Sequence, residues 1–170
     1  MSLTDRETWA ALHGMIFGAL FLLAFAGGFA GLYSLRQAWV TPEGIVERTR
    51  RLVAGTWAMS IVAWATVISG SWIVYPWYRS ADKTSPKSML LANPDLAQWH
   101  NFGMEWKEHI AWLAPILATS VALVVTYYGA DLVKNQGVRR VLIVVLTTAF
   151  ACAAVAGLFG AFITKAAPVH

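Results

Sequence analysis

Apolar residues fall in four long runs along this chain, separated by short polar connections. The runs cover about 8–35, 53–75, 108–129 and 141–164. Each matches or exceeds the ~20 apolar residues a helix needs to cross the hydrocarbon of a bilayer. Four such runs predict four transmembrane helices, and the mostly short links make each helix antiparallel to the next. The expected fold is all-α: an integral membrane, up-down-up-down four-helix bundle, one domain over 1–170.

Local signals sharpen the ends. Thr4 and Glu7 have the spacing of a capping box, so a helix should start near Asp5. The first run lacks a basic leader and a small-residue cleavage site, which predicts a retained span rather than a removed signal peptide. Pro76 closes the second run, and Trp77, Tyr78 and Arg79 make an interfacial edge. Residues 76–104 form the one sizeable extramembrane loop. Asn93-Pro94-Asp95 within it has the look of a helix start, with Asn93 as cap. Pro115 should kink the third span, because it removes a backbone N–H. Gly14 with Gly18, and Gly27 with Gly31, have the spacing that lets helix backbones approach closely.

Composition agrees with the pattern. Residues are 58% hydrophobic and 13% charged, against about half and about a quarter in soluble domains. The formal charge of +4 does not call for nucleic acid, because the basic residues sit in the links between spans. The 36–52 and 129–140 links hold four and three Lys or Arg. Basic residues mark the cytoplasmic side, so both termini are expected outside, in the inner membrane of a bacterium. Cys152 is the single cysteine, which excludes an internal disulfide or a cysteine-built zinc site.

Candidate chemistry gathers in Trp99–Ser120. His109 stands where the third span turns apolar, beside Glu105, Lys107 and Glu108. His13 stands at the matching point of the first span, on the same side in an antiparallel bundle. Ionisable groups at a membrane mouth are costly to keep there and mark function. Two imidazoles facing each other across a bundle can hold a haem iron axially. The expected assignment is therefore His13 and His109 as ligands of haem b. Glu105, one turn before His109, would hold its other ring nitrogen, and Arg79 and Lys107 would contact the propionates. His100, Trp99 and Glu108 are the candidates for a quinone pocket or an alternative ligand site. Other readings stay open: a copper site from His13, His100, His109 and Met104; a mixed carboxylate–imidazole site; or a structural or assembly subunit with no cofactor. No phosphate loop, dinucleotide fingerprint or Ser–His–Asp set occurs, so an electron-transfer subunit of an oxidoreductase is expected rather than a stand-alone enzyme. Its partners would be the lipid bilayer, other membrane or periplasmic redox subunits, or a second copy of the chain.

With four spans and imidazoles His13 and His109 at the mouths of spans one and three, the chain resembles the small four-helix membrane cytochromes of b type. These include cytochrome subunits that anchor periplasmic oxidoreductases and exchange electrons with quinone. The resemblance implies haem b and quinone as cofactor and electron partner. The chain departs from two-haem members, which carry two histidines about four turns apart on one helix. It has none in the cytoplasmic half of any span, so one haem near the outer face is implied.

Overall fold

The computed structural model describes residues 3–168, and among them every regular element is helical. Four helices are long and apolar enough to cross a membrane: α1 (Asp5–Ser34), α2 (Pro42–Tyr78), α4 (Trp99–Val133) and α5 (Gln136–Ala166). A short α3 (Pro86–Ala92) lies between the second and third of these. Thr4 caps α1 with both halves of the capping box in place. Thr41 caps α2, with Pro42 at its first position, where a missing N–H does no harm.

The helices reach past the apolar runs. Helix α2 begins at Pro42, so Arg48, Arg50 and Arg51 ride on its first turns rather than on a loop. Glu47 pairs with Arg50 and Arg51 at 2.9 and 2.7 Å, a spacing that supports helix in a polar stretch. Asn93 caps the turn expected there: its side chain accepts from the Asp95 N–H and its carbonyl from the Ala97 N–H, both at 3.0 Å, as a cap does, while regular helix begins only at residue 97. Helix α4 breaks at residues 111–112, one turn before Pro115, whose ring cannot supply the N–H that would bridge the gap.

The four long helices form a ring, in which α1 packs on α2, α2 on α4, α4 on α5 and α5 on α1. Leu32, Met59, Val121, Val125 and Leu146 are fully buried at its centre. Large apolar side chains also cover the outside: Met15 is 72% exposed and Val144 64%. That surface has no partner in water, whereas it is matched to lipid. In lipid, apolar burial between helices would drive little, and packing and interhelical hydrogen bonds would hold the ring. The α2–α4 seam supplies them. The Thr119 hydroxyl donates to the Pro115 carbonyl at 2.6 Å, so Ser60 donates to Thr119 at 2.8 Å, and Trp64 Nε1 donates to the same oxygen at 3.0 Å.

Candidate functional site

One end of the ring gathers the polar groups. Three helices change winding there into π turns: Leu12–Ile16 in α1, Gly70–Val74 in α2 and Trp99–Met104 in α4. A π turn inserts one extra residue, turns the following face by about 100°, and occurs often at functional sites. The three turns carry His13, the seat of His13, and His100.

His13 lies part-buried against α2. Its ring lies with the Cε1 edge against Gly70, whose backbone leaves no room for a side chain: a Cβ there would stand 2.7 Å from Cε1. Its Nδ1 is 3.1 Å from Ser69 Oγ. The Ser69 hydroxyl gives its only proton to the Thr66 carbonyl at 3.0 Å, so it accepts from His13. That relay places the ring proton on Nδ1 and leaves an unprotonated lone pair on Nε2.

The expected partner, His109, is elsewhere. Its ring is exposed, and its Nδ1 donates to the Glu105 carbonyl at 2.7 Å. A carbonyl only accepts, so here too the lone pair is on Nε2. The ring lines an outward groove of about 320 Å³ with Asn101, Phe102, Glu105, Trp106 and Ile110. The charged side chain that acts on His13 is Lys107. Successive helix positions stand about 100° apart, so when Lys107 faces the ring interior, His109 faces out. The Lys107 ammonium rests on α5, 3.2 Å from where a Cβ of Gly160 would be, with no hydrogen bond or ion pair among the described residues. His13 and His109 are therefore not brought face to face.

Glu105 holds His109 through its backbone rather than its side chain. Its carboxylate pairs with Arg79 at 2.6 Å. Glu108 accepts from the same guanidinium at 3.3 Å and from the Tyr75 hydroxyl at 2.8 Å. Burial works against the Arg79 charge, but Glu108, Tyr75 and Glu105 outweigh it and hold its pKa above the ordinary value. Arg79 is thus engaged by carboxylates, and its Nε is buried without a partner. His100 is buried at 7% exposure, with Nδ1 2.9 Å from the Tyr78 hydroxyl. Trp99 tilts on Phe162 at 5.2 Å. Met104 packs with Tyr78, Leu90 and Ile163. The four residues of the copper reading are not gathered: among the described residues no three His, Cys, Asp or Glu stand together as a metal-holding group.

No family model, curated protein or solved structure matches this chain.

Sequence reading sees Ser69, Gly70 and Gly160 only as small residues for helix packing and Tyr78 only as part of an interfacial edge, and it does not tie them or Tyr75 to the site. The tyrosines had a signal, since Pro76 and Arg79 flank them at a span end.

Proposed function

We propose that the chain is an integral membrane up-down-up-down bundle with its histidine-bearing end at the outer face, and that it serves as an electron-transfer subunit carrying one haem b on His13. The observation that carries this reading is the relay from His13 through Ser69 to the Thr66 carbonyl. It anchors Nδ1 and leaves Nε2 unprotonated, the state in which an imidazole ligates iron with its other nitrogen held by the protein. Bound haem would supply one-electron exchange. A second ligand would have to come from α4, where His100 is buried with Nδ1 against the Tyr78 hydroxyl, whereas His109 faces outward.

Oxidised and dithionite-reduced absorbance spectra of the purified protein test the reading. A Soret band that disappears in His13→Ala and in His100→Ala, and survives in His109→Ala, supports it. A protein without a Soret band, or a His13→Ala variant with an unchanged one, overturns it. A colourless protein that purifies with large partners is instead a structural subunit.

A quinol site at the His109 groove is favoured by a separate observation. The groove has aromatic walls in Phe102 and Trp106, an imidazole acceptor in His109 and a carboxylate in Glu105. A quinol hydroxyl can donate to the His109 Nε2, and the groove opens where Leu113 and Ile116 are exposed below it. A photoreactive quinone analogue is expected to label the segment 101–110, and His109→Ala to abolish the labelling. Labelling that survives in His109→Ala removes this site.

A further inference from the structure

The seam between α4 and α5 carries two hollows, and they lie on one line. The first is the His109 groove. Helix α5 borders it through Phe159, whose ring centre stands 5.9 Å from that of Phe102 and 5.4 Å from that of Trp106. The second hollow, of about 410 Å³, lies toward the other end of the same two helices. Ser120, Val124 and Tyr128 line it from α4, and Val138, Val141 and Val145 from α5.

The register of the helices joins them. Helix α5 is unbroken from Gln136 to Ala166. On it, Val138 and Val145 in the second hollow are followed at the same seven-residue step by Cys152 and Phe159. Such a step returns a helix to nearly the same face, with a drift of about 20°. Helix α4 repeats the step in Trp106, Leu113 and Ser120. Between the hollows Leu113 is 41% exposed, Ile116 48% and Val155 37%, so the connecting face is apolar and uncovered by the rest of the chain. The two ends of this line differ in chemistry. The His109 groove offers an imidazole acceptor, the Glu105 carboxylate and aromatic walls. No charged residue lines the second hollow, and the Ser120 hydroxyl is spent on the Ile116 carbonyl at 2.9 Å.

We propose that the α4–α5 seam berths the isoprenoid tail of the quinol whose head sits at His109, and that it favours long-tailed quinols over short ones. The inference rests on the quinol reading of the His109 groove. A polar head site that continues into an apolar furrow fits an amphiphile with one hydrogen-bonding head and one long uncharged tail. Along α4, Ser120 lies roughly 16 Å from His109 and Tyr128 roughly 28 Å. An octaprenyl tail reaches through the second hollow. A decyl tail ends along Leu113 and Ile116.

Photoaffinity mapping of the full chain in phosphatidylcholine nanodiscs tests the berth, with an octaprenyl quinone carrying a diazirine at the end of its tail as probe. Cross-links are expected in 120–128 and 138–145. Ser120→Trp and Val141→Trp change exposed positions that line the hollow, and circular dichroism checks their fold. Each should lower these cross-links roughly fivefold, about 1 kcal/mol, a small effect because a displaced tail enters lipid as apolar as the furrow. A quinone analogue with its photoreactive group on the head should still mark 101–110 in both variants. Tail cross-links spread evenly over the outer faces of α1 and α5 overturn the proposal, as do unchanged tail cross-links in both variants. Equal labelling by octaprenol with the same diazirine also overturns it, since the hollow would then take any chain. So does equal competition by decyl and octaprenyl quinones. A head-labelled analogue that fails to mark 101–110 in the unaltered chain removes the quinol site itself, and the berth with it.

Discussion

Replacing Gly70 with alanine is expected to unseat His13. The new Cβ would stand 2.7 Å from Cε1, 3.3 Å from Nε2 and 3.4 Å from Nδ1, so the clash is with one edge of a rigid ring. The ring cannot slide away without breaking its bond to Ser69, the neighbouring residue on the same helix. Forcing extra volume into a packed seat costs about 1–3 kcal/mol, read as a lower thermal midpoint in detergent. On the haem reading the Soret band should fall with it. Gly160→Ala is the informative comparison. Its Cβ meets only the far end of Lys107, 3.2 Å from Nζ and 3.5 Å from Cε, and a flexible side chain can move. Its cost should be clearly smaller. Equal costs for the two variants would show that the His13 seat is not rigid.

Truncating Glu108 should loosen the same end from the α4 side. Glu108→Ala strands the Tyr75 hydroxyl and removes one of the two carboxylates that hold Arg79, whose Nε already lacks a partner. Hydrogen bonds to charged groups contribute more than neutral ones, and the Arg79 and Glu108 side chains are 34% and 23% exposed. Solvent therefore screens part of the effect, and a loss of about 1–3 kcal/mol is expected. Glu108→Gln keeps an acceptor for Tyr75 and should recover part of the loss. No recovery would mean that the charge on Arg79, not the tyrosine, is what matters. The sign for pH follows from the raised Arg79 pKa. A group whose pKa is raised by folding stabilises below its unfolded value and loses that contribution as pH rises through the folded one. Both values lie far above neutrality, so Arg79 adds no pH dependence near it.

Much of the architecture was legible because long apolar runs allow few solutions. Four apolar runs predict four long helices, and the Thr4–Glu7 box marks the first start correctly. The same apolar reading placed the start of α2 too late, because helix continues through Arg48–Arg51, where side-chain pairing with Glu47 replaces hydropathy as the support. At the site, the stretch around Glu105–His109 carries ion pairs and hydrogen bonds to Arg79 and Tyr75. Its pairing was not legible. His109 points outward, Lys107 points toward His13, and Glu105 serves His109 through a carbonyl that every residue possesses.

The division has a physical reason. Sequence by itself determined the helices, their number and the end at which ionisable residues collect, since hydropathy and charge are summed along the chain and need no partner. Only the tertiary structure decided rotation, meaning which of Lys107, Glu108 and His109 looks into the ring. A helix in lipid is apolar all round, so no polar face marks the outside, and a π turn shifts every later face without leaving a signature in the pattern. The seats of His13 and Lys107 on Gly70 and Gly160 belong to the same class: they exist only because two helices approach at one glycine each.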